Sequence, residues 1–264
     1  MMPCGFKLMS GIVLLLLWAP YAGAKQQPLP KEQMRELLEK LDARQRSVGD
    51  YKALIYMEQK EKGKDNLLYE AVTYRRDTED RFMMLFMRPK SESGKGYLRI
   101  DEHLFFYDPT VGRWERRTER ERIAGTNSRR TDFDESRLAE RFDPSYVALE
   151  ELGRYTVHHL KLRAKQGADV AYPRVHLWVD TETKNILKRQ EYALSGKLVR
   201  TSYYPKWGKV YSESKQDHVY FPKQIRVFDE IEEGTQTSVV VRKVDLSELP
   251  ANIFTKAWLE SKSR

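Results

Sequence analysis

Cysteine is nearly absent from this 264-residue chain, and the single residue, Cys4, lies ahead of a short apolar run at the N-terminus. No disulfide is therefore available to the body of the protein, and stability rests on ordinary burial, which a chain of this length can supply. The apolar run itself falls short of the ~18 residues that a spanning helix needs. No phosphate loop, Gly-x-Ser-x-Gly elbow, His-Glu-x-x-His pair or paired-cysteine spacing occurs. These gaps exclude the commoner hydrolase, nucleotide and zinc chemistries, and neither a catalytic residue, a metal nor a cofactor is expected.

What the N-terminus does have is the pattern of a secretory leader. Lys7 supplies a positive start, residues 12–18 form an apolar core, and Ala22-Gly23-Ala24 is a small-residue cleavage site. Cleavage is expected after Ala24, with residues 1–24 as signal peptide and 25–264 as one domain. The remaining chain carries 46 basic against 39 acidic residues, a net charge of +7. Such a balance suits transient contact with an anionic membrane surface, whereas export argues against nucleic acid. Between Arg113 and Arg122 the two signs alternate, the pattern of a solvated, self-paired face.

Taken in order, the chain gives one long helix and then changes period. Met34, Leu37, Leu38 and Leu41 recur at three- and four-residue steps, which predicts a helix over residues 31–48 with one apolar stripe. Strands are expected at 51–59, 67–76 and 81–88. The run Phe82-Met83-Met84-Leu85-Phe86-Met87 is apolar at every position, so both faces of that strand should be covered. Further strands are expected at 97–101, 104–107, 113–118, 155–164, 173–180, 186–193, 197–204, 209–214, 224–230 and 235–244. Residues 132–141 read as a short helix, with Phe133, Leu138 and Phe142 on one face, Pro144 as its close and 146–149 as another helical turn. Phe254, Trp258 and Leu259 are expected to anchor the tail. With no β-α-β alternation, the fold class is mainly β: a curved antiparallel sheet with an N-terminal helix and a helical insertion.

Candidate chemistry is thin. His158 and His159 are adjacent on a strand and point to opposite faces, so they cannot share one ion. Asp132, Asp134 and Glu135 lack the glycine and distal glutamate of a calcium loop, and Arg129, Arg130 and Arg137 stand ready to pair with them. The chain is read as non-enzymatic. Five tryptophans, ten phenylalanines and fifteen tyrosines fall mostly in the strands, and a curved sheet with an apolar inner face can enclose more space than its own side chains fill.

One block carries a family likeness. Met87-Arg88-Pro89-Lys90, then Gly94-x-Gly96-Tyr97-Leu98, Phe106-Tyr107-Asp108-Pro109, Gly112-Arg113-Trp114, Gly125-Thr126 and Asp132-Phe133-Asp134 resemble the outer-membrane lipoprotein-sorting proteins of the LolA-like superfamily. The resemblance implies a periplasmic, unclosed β-barrel whose helices cover a concave side, and a hollow that accepts acyl chains in transit to the outer membrane. It implies as partners a lipid or acylated lipoprotein and an inner-membrane transporter. The Arg/Asp-rich central loop has no counterpart in the carriers proper, so no binding residue is transferred from them. Candidate lining residues are Met84, Phe86, Leu98, Phe106, Trp114, Leu177 and Trp178, with strand parity left open by the sequence. Arg88, Pro89, Gly96, Asp108, Pro109, Gly112, Arg129, Asp132 and Asp134 are expected to shape turns and the loop. A second reading makes the chain a non-catalytic module that docks on a transporter or envelope sensor through its mixed-charge 113–130 region.

Overall fold

Period-two alternation over most of the chain draws it into one sheet of thirteen antiparallel strands. The computed structural model describes residues 28–46, 49–100, 103–118, 122–129, 132, 136–213 and 216–263. The expected leader, residues 1–24, and Asp134 lie outside the described residues. In chain order the strands are β1 (Asp50–Lys60), β2 (Leu67–Arg76), β3 (Arg81–Arg88), β4 (Gly96–Ile100), β5 (His103–Asp108), β6 (Arg113–Arg117), β7 (Phe142–Leu152), β8 (Tyr155–Ala164), β9 (Arg174–Asp180), β10 (Ile186–Tyr192), β11 (Leu198–Ser212), β12 (Asp217–Asp229) and β13 (Gln236–Asp245). Three helices accompany them: α1 (Lys31–Arg46), α2 (Leu138–Arg141) and α3 (Lys256–Lys262).

The strands are ordered β6-β5-β4-β3-β2-β1-β13-β12-β11-β10-β9-β8-β7, so two hairpin ladders meet at the β1–β13 pair. β6 and β7 are the edges, and the sheet curves without closing into a barrel. Each face is then covered differently. On the inner face Met34, Leu37, Leu38 and Leu41 of α1 pack on Leu160 and Leu162 of β8 and Val175, Leu177 and Val179 of β9. All four apolar positions of the helix stripe are buried.

Over β1–β5 the inner face is covered by residues 122–129 instead of a helix. Ile123 enters the cluster of Met84, Phe86, Tyr97 and Leu104. The Ala124 N–H donates to the Tyr97 hydroxyl, and the Tyr69 hydroxyl donates to the Ala124 carbonyl. Asn127 N–H donates to Thr237 Oγ1 at 2.8 Å and to Gln59 Oε1 at 3.3 Å. Thr126, Asn127 and Ser128 are consequently buried although they are polar.

The outer face of β2–β4 receives the C-terminal tail. Tyr74, Met83 and Leu98 pack against Leu249, Ile253, Phe254 and Leu259, and Trp114 Nε1–H donates to Glu260. β3 is thus apolar on both faces because both are covered. The close fit depends on Gly96, where a Cβ would stand 2.7 Å from the Met84 carbonyl oxygen and 2.8 Å from Leu259 Cδ1.

Two local expectations are corrected. Residues 146–149 are not helical but part of β7, where Tyr146 opposes Leu160 and a bulge follows before Ala148. Pro144 does not end a helix: it sits in this edge strand, where its missing N–H costs no ladder bond on the free side. Residues 197–204 and 209–214 are not two strands, because β11 runs continuously and absorbs Pro205 through register shifts around Lys206. Of the helix expected over 132–141, only Leu138–Arg141 is helical among the described residues.

The outer face of β8–β10 holds a histidine pair. His159 Nε2 and His176 Nδ1 are 2.9 Å apart, His159 stacks on Trp178, and Glu150 lies 3.2 Å from His159 Nδ1. Burial, with His159, Lys161 and Lys188 adding repulsion, lowers the His176 pKa from 6.5 to about 4. The folded state therefore holds His176 neutral while the unfolded chain protonates it, so its contribution is complete above pH 6.5 and is lost as pH falls toward 4. Thermal melts across that window should fall more steeply for the native chain than for His176→Gln, and parallel curves would count against the assignment. For the tail, Gly96→Ala should cost ~1–3 kcal/mol by overpacking. In urea titrations the Gly96→Ala/Leu259→Ala double variant should lose less stability than the two single losses added together.

Candidate ligand cavity

A cavity of about 270 Å³ lies between the inner face and its covering elements. Its floor comes from the middle of the sheet: Ala53 and Ile55 of β1, Val239 and Val241 of β13, and Phe221 and Ile225 of β12. These residues face inward because each is paired across the β1–β13 and β12–β13 ladders with a partner of the same parity. Its roof is Leu41 from α1, Leu138 and Phe142 from the insertion, and Val170, Ala171 and Tyr172 from the β8–β9 connection.

The roof is held by buried polar bonds. Asp42 of α1 is fully buried and accepts from Ser136 Oγ at 2.6 Å, Leu138 N–H at 2.9 Å and Ala139 N–H at 2.8 Å. Its carboxylate caps the short α2 and ties the insertion to the long helix. Arg44 Nη1 donates to the Thr183 carbonyl and to Asn185 Oδ1, fixing α1 to the β9–β10 turn. Arg75 Nε donates to Asp77 Oδ1 and its Nη2 to Asp80 Oδ1, and Arg99 Nη1 meets Asp80 Oδ2 at 2.6 Å.

The β10–β11 side of the cavity is charged. Arg200 is 4% exposed and chelates the Asp132 carboxylate through both terminal nitrogens, while its Nη1 also donates to Glu191 Oε2 at 3.0 Å. Arg189 Nη2 meets Glu191 Oε1 at 2.7 Å. Burial opposes the Arg200 charge, but Asp132 and Glu191 outweigh it and raise its pKa above the usual arginine value. Tyr204 sits beside this group, and burial pushes its pKa up to about 12, so it stays a neutral donor.

The expected lining residues fall elsewhere. Met84, Phe86 and Phe106 do face inward, in the cluster shared with Ala53, Ile55, Val239 and Val241, but Ile123 packs in that cluster and they do not line the cavity. Leu177 is inward and lies in the α1 cluster. Leu98 and Trp114 are on the outer face under the tail, because Leu98 opposes Met83 and the inward position on β4 belongs to Tyr97, opposite Met84. Trp178 is on the outer face too, donating to Glu150.

The motif residues form turns and one anchor. Asp108 Oδ1 accepts from Thr110, its carbonyl accepts from Gly112 N–H, and Gly112 has φ +67°. Pro109 Cγ lies 3.1 Å from the position of a Cβ on Gly94, Gly96 makes room for Leu259, and Arg88 extends into solvent near Glu70 with Pro89 following it. Arg129 lies over the Tyr172 ring and donates its N–H to Asp132, which alone of these residues lines the cavity. Sequence reasoning missed Tyr172, Arg189, Glu191 and Arg200. The only signal was the Arg189-Gln190-Glu191 alternation, which reads the same for a solvated face as for a charged interior one. Among the described residues, no group of His, Cys, Asp and Glu is placed to hold a metal ion.

Removing the acid that neutralises Arg200 should be costly. Asp132→Asn should lower unfolding free energy by ~3 kcal/mol, since a buried arginine is left with Glu191 alone. Adding Arg200→Met should recover part of that loss in denaturant titrations.

A family model described as "uncharacterized protein" matches residues 78–261. No curated protein matches the chain. Three solved structures share its fold. A LolA superfamily protein from Nitrosomonas europaea aligns at 21% identity and a TM-score of 0.69, over 85% of this chain and 98% of its own. A protein described as an outer membrane lipoprotein-sorting domain, from Vibrio parahaemolyticus, aligns at 17% identity and a TM-score of 0.74, over 88% and 100%. A DUF1329 family protein from Desulfovibrio piger aligns at 18% identity and a TM-score of 0.76, over 87% and 99%.

Proposed function

Since the chain belongs to the family matched over residues 78–261 and has the fold of the LolA-superfamily structures, we propose that it is a non-enzymatic periplasmic carrier, shielding the acyl chain of a lipid or lipoprotein bound for the outer membrane. The observation that carries this reading is the roofed cavity, whose floor of Ala53, Ile55, Phe221, Ile225, Val239 and Val241 is apolar. Each methylene taken from water into such a space is worth ~0.8 kcal/mol, so chain length sets affinity. A volume of about 270 Å³ is at the small end for a ligand site, which favours one acyl chain over several in this arrangement. The N-terminal leader pattern and the Vibrio parahaemolyticus likeness support the periplasmic address. Among the described residues, no helix is long and apolar enough to cross a membrane.

Native mass spectrometry of residues 25–264 purified from the periplasm, followed by organic extraction, tests the carrier. A stoichiometric adduct of lipid or acyl-peptide mass is expected. Ala171→Trp, which fills the cavity from its roof, should abolish that adduct while leaving the circular dichroism unchanged. A native chain that stays apo after incubation with envelope lipids would overturn the proposal.

A further inference from the structure

The cavity is apolar below and unevenly charged at its walls. Six basic side chains line it (Arg44, Arg75, Arg137, Arg141, Lys184 and Arg189) against three acidic ones, Asp77, Asp132 and Glu191. An excess of positive charge in an enclosure that excludes bulk water is unfavourable until a counter-charge enters. Two donors on this wall are also unused. The Arg189 Nε–H is buried with no hydrogen-bond partner among the described residues, although Nη2 of the same group holds Glu191. The Tyr172 hydroxyl is likewise without a partner, in a residue that is 7% exposed and lines the cavity. Both side chains flank the Asp132–Arg200–Glu191 group, which saturates its own acids and leaves them no acceptor to offer. Buried donors are almost always satisfied by protein, water or ligand.

From this placement we infer that the cavity selects amphiphiles with an anionic, hydrogen-bond-accepting end group, a carboxylate or phosphate, seated at Arg189 and Tyr172 with the hydrocarbon along the β1–β13–β12 floor. The inference rests on the carrier reading and sharpens it. An arginine Nε–H can only donate, so an acceptor is required, and a charged acceptor makes the stronger bond. Water satisfies the donors but leaves the excess charge uncompensated.

The test compares palmitate with hexadecanol, equal in chain length and different at one end, by calorimetry on the delipidated chain 25–264. Palmitate should bind at least about tenfold more tightly, the factor expected of one charge-assisted hydrogen bond. Arg189→Met should erase that difference while leaving hexadecanol affinity unchanged. Tyr172→Phe, which keeps the ring beneath Arg129, should narrow it. Equal affinity of the two probes for the native chain would overturn the inference and leave the carrier standing. Binding of neither would overturn the carrier reading as well. Inorganic phosphate that displaces palmitate at comparable concentration would show a free-anion site and overturn the requirement for an amphiphile.

Discussion

Arg200 is an inward-facing cation on a β-strand, and a charge so placed needs an acid close by or the strand cannot stay where it is. Glu191, on the neighbouring strand, supplies one carboxylate; the second, Asp132, comes from the central loop. Desolvating an arginine costs several kcal/mol, so the bidentate bond to Asp132 holds this point of the loop at the inner face. Arg129 then lies over Tyr172, and residues 122–128 run back across β1, β2 and β13 to bond Gln59, Tyr69, Tyr97 and Thr237.

That path divides the hollow of the sheet. Over β1–β5, Ile123 and its neighbours occupy the inner face, so Met84 and Phe86 are core residues in this arrangement. Toward β10–β13 the roof arches between α1, α2 and the 170–172 segment, and the remaining space is the cavity. The same loop thus sets both the size of the ligand space and, through Asp132, its electrostatic balance. Polar residues in the loop do not mark it as solvated: Thr126, Asn127 and Ser128 are as buried as the strands beneath them.

Much of the fold was legible because local pattern and tertiary environment agree. The bounds of β2, β3 and β8 follow from alternation and flanking turns, and the α1 stripe of Met34, Leu37, Leu38 and Leu41 is the buried stripe. Pattern failed where pairing overrides it. Residues 146–149 look helical only until β8 pairs alongside, and Pro205 interrupts nothing because a bulge accommodates it. The site was less legible. Which of Tyr97 and Leu98 faces inward depends on the register with β3, a long-range fact absent from either segment alone. Arg189 and Glu191 carry no mark of burial, since an inward ion pair and an outward one have the same spacing.

The strand order has a consequence for how the chain becomes this object. β1 pairs with β13, so the centre of the sheet joins segments from opposite ends of the sequence, and the last residues cover Tyr74, Met83 and Leu98 near its beginning. Each half can form its own hairpins by local contacts, yet neither half has a finished core until the C-terminus arrives. Contacts of such long sequence separation make for slow assembly. For a chain that crosses a membrane before folding, that lateness is useful: the hairpins cannot lock into a complete sheet while the end of the chain is still on the far side.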